Sequence, residues 1–118
     1  MKDLAPDIFR QRLLVEGFYR IDVNEGVIKK YFEKLTEELG LRVYGEPTIH
    51  VTSGQGKEAN QGYDAFVPLI DSGIYLGVWA NKKFISAVIY TCKSFENKKA
   101  IKVTQEFWKI DEIASKAF

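Results

Sequence analysis

A chain of 118 residues, 46% hydrophobic and 28% charged, has the balance of one globular domain spanning 1–118 and excludes wholesale disorder. Its 17 basic and 16 acidic side chains leave a net charge of +1 and are mixed along the sequence, without the basic block of a strongly cationic nucleic-acid binder. No apolar run approaches the roughly 20 residues that span a bilayer, so no membrane partner is expected.

Met1 to Arg12 carries Asp3, Asp7, Arg10 and Arg12 without an apolar centre, unlike a secretory signal. The single cysteine, Cys92, rules out an internal disulfide. With His50 the only histidine, the chain has no ligand set for a structural zinc, and no metal is expected. These features together point to a reducing cytoplasm.

In chain order, Gln11 to Ile21 is rich in Leu, Val, Phe and Tyr and reads as a strand. Val27, Ile28, Tyr31, Phe32, Leu35 and Leu39 then recur at three- and four-residue spacing, opposite Lys29, Lys30, Glu33, Lys34 and Glu37. That is an amphipathic helix. Asp22 or Asn24 can cap its start, and Gly40 stands where a left-handed terminator belongs. Leu41 to Val51 reads as a second strand interrupted near Pro47, and the three glycines of Ser53 to Gly62 mark a loop. Tyr63–Ile70, Ile74–Ala80 and Phe84–Thr91 are strand-like runs separated by Asp71-Ser72-Gly73 and Asn81-Lys82-Lys83. A second helix is predicted from Ser94, as its cap, to about Trp108, with Ala100, Ile101, Thr104, Phe107 and Trp108 inward. Ile110 to Phe118 reads as a short edge strand.

The order β-α-β-β-β-β-α-β places a run of hairpins between two helices. Hairpins require antiparallel pairing, and two amphipathic helices cover one face of such a sheet. The expected fold is therefore α/β (α+β), a two-layer sandwich of a mainly antiparallel sheet under two helices.

Taken singly, the residues that carry chemistry have ordinary explanations. Asp-Ser-Gly between strands is a common turn, a cysteine closing an apolar strand is a buried small hydrophobe, and the loop glycines lack a phosphate-wrapping pattern. Pattern alone does not say what the chain does.

The segment DSGIYLGVWANKKFISAVIYTC, Asp71 to Cys92, aligns without a gap on the pattern E-S-H-x-x-I-H-T-W-P-E-x-G-x-x-x-x-D-x-F-T-C. That pattern resembles the central segment of the small prokaryotic S-adenosylmethionine decarboxylases. Ser72, Trp79 and Thr91-Cys92 are shared, and Asp71 replaces glutamate. The flanking strands and helices agree in order, so the resemblance covers most of the chain, though on few specific residues.

The resemblance implies a pyruvoyl-dependent decarboxylase of polyamine (spermidine) biosynthesis. Such a chain cleaves itself before its serine, here between Asp71 and Ser72, and Ser72 becomes a pyruvoyl group. The ketone of that group condenses with the substrate amine and draws off electrons as CO₂ leaves. Cys92 matches the family's proton donor. Family members are commonly dimers whose sheets pack together, so a homodimer is expected.

Two positions depart from the family. Its processing histidine is Gly77 here, and a second family serine falls at Asp64. Glycine cannot move a proton, which leaves Asp64 or His50 as substitute bases. Asp64 also places a negative charge where the family has a hydroxyl, which favours a more cationic substrate. Two functions thus remain open. One is the family lyase, acting on S-adenosylmethionine or a related amine-bearing amino acid. The other is an unprocessed relative, a regulatory or binding protein or a non-pyruvoyl enzyme, holding such a ligand among Tyr63, Phe66, Tyr75 and Trp79 by cation–π contact. Core packing is the alternative role for each of these aromatics.

Overall fold

The computed structural model describes residues 1–52 and 61–118; most of the predicted Ser53–Gly62 loop lies outside the described residues. The elements run β1 (Gln11–Phe18), α1 (Glu25–Leu39), β2 (Thr48–Val51), β3 (Gly62–Leu69), β4 (Ser72–Trp79), β5 (Phe84–Thr91), α2 (Asn97–Trp108) and β6 (Ile113–Ala117). The strands form one sheet in the order β2-β3-β4-β5-β1-β6, every neighbouring pair antiparallel. Both helices lie on one face, as expected from their apolar stripes.

Alternation along the strands decides which face is buried. Leu13 and Val15 of β1, Ala65, Val67 and Leu69 of β3, Ile74, Leu76 and Val78 of β4, and Ile85, Ala87 and Ile89 of β5 point under the helices and are buried. From α1, Ile28, Tyr31, Phe32 and Leu35 close onto them, and from α2 Ala100, Val103 and Trp108. Tyr31 is wedged against Trp108 at 5.3 Å between ring centres, and its hydroxyl shares a 2.8 Å hydrogen bond with Thr104. Burial pushes the Tyr31 phenol far above its ordinary range, with the Thr104 bond opposing weakly. The intervening positions make an open face on which Phe18, Phe66, Tyr75 and Tyr90 remain exposed.

Helix α1 begins and ends as its sequence dictates. Asn24 caps it by accepting the Val27 N–H at 2.9 Å, a role Asp22 does not share. Gly40 ends it in the left-handed region at φ 66°, where a Cβ is disfavoured. Helix α2 differs from expectation. It starts at Asn97, with Glu96 in the cap position and no side-chain cap bond, so Ser94 is not its cap. Instead Gln11 ties down the segment before the helix, accepting from the Phe95 N–H at 3.0 Å and donating to Phe95 O at 2.9 Å. Ile101 and Phe107 are only partly buried, and Val103 joins the core. The first strand stops at Phe18, and Leu41 to Pro47 contributes only one bridge, Val43 to Leu69, ahead of β2. Among the described residues, no helix is long and apolar enough to cross a membrane.

Candidate functional site at the β3–β4 hairpin

The hairpin from β3 to β4 is tight: Leu69 pairs with Ser72, leaving Ile70 and Asp71 as the loop. Two-residue hairpins favour mirror-image turns with positive φ at the loop residues. Neither Ile70 nor Asp71 has a positive φ; the excursion falls on Ser72, at φ 124°. A non-glycine residue held there stores about 1–3 kcal/mol of strain, a cost met chiefly at functional sites.

The surroundings hold this conformation in place. After Gly40 terminates α1, Leu41 is buried and the chain runs beside the end of β3. Tyr44 N–H donates to Pro68 O at 2.8 Å, and Ile70 N–H to Arg42 O at 2.9 Å. This brings Arg42 onto Asp71. The Asp71 carboxylate, only 3% exposed, accepts from the Arg42 backbone N–H at 3.1 Å and from its guanidinium at 2.8 Å (Nη2) and 3.4 Å (Nε). The guanidinium bonds, then the backbone bond, hold the Asp71 carboxyl below its usual range against the opposing effect of burial. The same bonds raise Arg42. On the other side the Asp71 carbonyl accepts the Cys92 N–H at 2.9 Å. Thr91, buried, donates to Lys93 O, and Lys93 Nζ reaches the Gly40 carbonyl at 2.8 Å.

Asp71, Ser72 and Cys92 are therefore brought together at one end of the sheet. Cys92 is exposed, contrary to its reading as a buried hydrophobe, because it lies one residue beyond the last paired position of β5.

Asp64 and His50 are brought together elsewhere. The register runs His50 to Asp64 to Gly77 to Ser86 to Glu16, one row across the open face. Gly77 is five positions along β4 from Ser72, about 16 Å at roughly 3.3 Å per residue. Within one chain, then, neither Asp64 nor His50 reaches the Asp71–Ser72 linkage. Asp64 instead accepts a 2.8 Å hydrogen bond from Tyr75 OH. Burial, then the Asp64 bond and charge, push the Tyr75 phenol up to about 12.

The place of a side chain at residue 77 is already filled. A Cβ on Gly77 meets the Trp79 ring and the Tyr75 hydroxyl, each at 2.9 Å. Phe66 covers Gly73 in the same way, its ring 2.5 Å from where a Cβ would stand. Phe66, Tyr75 and Trp79 thus share the open face, whereas Tyr63 alternates to the helix side and packs against the core. Arg42, Lys93 and the Glu16–Ser86 hydrogen bond of 2.8 Å were not anticipated. Only the position of Arg42, two residues beyond a helix-ending glycine, hinted at any of them. A groove of about 680 Å³ between α1 and α2 is lined by Lys30, Glu33, Lys99 and Phe107 among others and does not include the hairpin.

The sequence model for S-adenosylmethionine decarboxylase matches residues 18–118. A crystal structure of the adenosylmethionine decarboxylase from Aquifex aeolicus resembles this fold with a TM-score of 0.70 at 15% identity, covering 94% of this chain and 89% of that one. No curated protein matches.

Proposed function

Because the chain belongs to the S-adenosylmethionine decarboxylase family, we propose that it is a pyruvoyl-dependent decarboxylase that matures by cleavage between Asp71 and Ser72. Its substrate is S-adenosylmethionine or a related amine-bearing amino acid, its setting polyamine synthesis in the cytoplasm. The observation that carries this reading is the environment of the scissile carbonyl. Asp71 C=O already receives the Cys92 N–H at 2.9 Å, beside a serine strained to φ 124°. A fixed donor on a carbonyl oxygen stabilises the negative charge that develops there under attack.

In maturation the Ser72 Oγ adds to the Asp71 carbonyl carbon and the C–N bond breaks. The hydroxyl proton passes to the released nitrogen, leaving an ester. Loss of the Ser72 Cα proton then breaks the Cβ–Oγ bond and frees the Asp71 carboxylate as a new C-terminus. Water replaces the nitrogen of the resulting dehydroalanine, ammonia departs, and a ketone remains. The residues fit the pyruvoyl group at its own position, since Ser72 is strained and Cys92 adjoins it. They supply no proton carrier at residue 77. When formed, the group serves as the electron sink for loss of CO₂. Cys92, exposed at the same end of the sheet, delivers the proton that replaces CO₂.

The two substitute bases, Asp64 and His50, lie on the open face and are out of reach within one chain. In our reading a second copy, packed through that face as a homodimer, brings them to Ser72. The exposed Phe18, Phe66, Tyr75 and Tyr90 supply the apolar surface for such packing.

A second reading has its own observation. With Gly77 overlain by Tyr75 and Trp79 and Asp64 engaged by Tyr75, the open face is a cation-accepting surface that needs no cleavage. A sulfonium or ammonium group there gains about 0.5–2 kcal/mol per aromatic contact. Intact mass of the denatured, freshly purified protein separates the two. Fragments dividing at Asp71–Ser72, the second with a pyruvoyl end, support the decarboxylase. A single mass near 13.5 kDa overturns it, and calorimetry with S-adenosylmethionine then tests the binding protein.

A further inference from the structure

We infer that Arg42 is a positioning residue for the Asp71–Ser72 linkage: it clamps Asp71 from both sides and neutralises the carboxylate beside the carbon that Ser72 attacks. The inference rests on the decarboxylase reading for its consequence, though the clamp itself belongs to the intact chain.

Arg42 engages the hairpin through both its backbone and its guanidinium. Its carbonyl accepts from Ile70 N–H, its own N–H donates to Asp71 Oδ2, and its guanidinium donates to both Asp71 oxygens. These contacts fix the two loop residues ahead of Ser72, so that the turn cannot relax by rotating Ile70 or Asp71. The Asp71 carbonyl is thereby left facing the Cys92 N–H.

Charge gives the clamp its second role. Attack by Ser72 Oγ forms the Oγ–C bond and moves an electron pair onto the Asp71 carbonyl oxygen. The Asp71 carboxylate, buried and anionic, sits on the same residue and opposes that charge. The bidentate guanidinium pairs it at short range. Lys93, from the segment after β5, contributes a weaker attraction to Asp71 while its ammonium is held at Gly40. Arg42 is therefore needed only while residue 71 is charged.

That condition separates electrostatic positioning from simple structural support. The test follows cleavage by intact mass in wild type, Arg42→Gln, Asp71→Asn and the double variant, alongside amide exchange in each intact chain. Arg42→Gln is expected to slow cleavage by about tenfold or more. Asp71→Asn alone supplies the reference rate for an uncharged residue 71, its amide oxygen still able to take the Arg42 backbone N–H. The double variant returns to within about threefold of Asp71→Asn. A double variant slower than Asp71→Asn by the same factor that separates Arg42→Gln from wild type overturns the charge role. In exchange, Arg42→Gln speeds the Cys92 amide by about tenfold or more while Leu76 is unchanged; an unchanged Cys92 amide overturns the clamp. If wild type does not cleave at all, the decarboxylase reading fails, and the exchange result still decides the clamp.

Discussion

Replacing Gly77 with histidine introduces the proton carrier that the family resemblance implies at this position and tests how the open face is filled. A Cβ at this position lies 2.9 Å from both the Trp79 ring and the Tyr75 hydroxyl. Both obstacles are the far ends of side chains, so the histidine enters only by swinging Tyr75 away from Asp64. Losing that bond costs about 0.5–1.5 kcal/mol, and crowding about 1–3 kcal/mol. Removing a glycine from a strand interior returns about 0.5–1 kcal/mol. The net destabilisation is about 0.5–4 kcal/mol, a fall in Tm of about 2–16 °C for a domain of this size. Freed from Asp64, the Tyr75 phenol drops from about 12 toward the ordinary tyrosine value of 10.0. Tyrosinate absorbance against pH, with Tyr75→Phe identifying the transition, reads that shift directly. Tyr75 is neutral at ordinary pH and its folded value is raised, so its contribution is complete below pH 10 and is lost as pH climbs through about 12. In the proposed homodimer, where this row meets the linkage of the second copy, cleavage in Gly77→His, and further in Asp64→Ser/Gly77→His, is expected to exceed wild type. A Gly77→His protein that melts with wild type and keeps its Tyr75 transition near 12 refutes the packing argument.

Ser72→Gly relieves the positive φ and is expected to stabilise the chain by about 1 kcal/mol in chemical denaturation; Ser72→Ala blocks cleavage equally but gains no stability. Tyr31→Phe leaves the buried Thr104 hydroxyl without its partner and is expected to cost about 1–3 kcal/mol, read as a lower denaturant midpoint at constant slope. The Asp71 carboxyl is held below its unfolded value of 3.8, so its stabilisation is complete above that pH and lost as pH falls through the lower folded value. Acid unfolding of Asp71→Asn, followed by circular dichroism, should lose that dependence; the same acid midpoint and steepness as wild type would show the Arg42 pair to be unimportant.

Much of the architecture was legible because it is written in local periodicity. The stripe from Val27 to Leu39, with Asn24 before it and Gly40 after it, specifies α1 without reference to the rest of the chain. Alternation in β3, β4 and β5 likewise fixes which face each strand buries. That alternation also separated Tyr63 from Phe66, since residues three apart on a strand face opposite ways; grouping them as one aromatic set overlooked a signal that was present. The start of α2 was not legible in the same sense. Its anchor is Gln11, 84 residues from Phe95, and no property of Ser94 reveals that a distant amide will hold the segment.

The site divides along the same line. Ser72 and Cys92 are joined by the ladder between β4 and β5, so their proximity follows once the two strands are paired. Asp64 and Gly77 are cross-strand partners for the same reason, so the two positions that depart from the family resemblance are neighbours on the open face. A carboxylate at residue 64 needs a donor, and Tyr75 reaches it only across a residue that lacks a side chain. Histidine at 77 and the Tyr75–Asp64 bond compete for one volume. Residues 64 and 77 are thus physically coupled, and replacing either alone leaves the other strained or unpaired. The double replacement is therefore a sharper probe of this coupling than either single one.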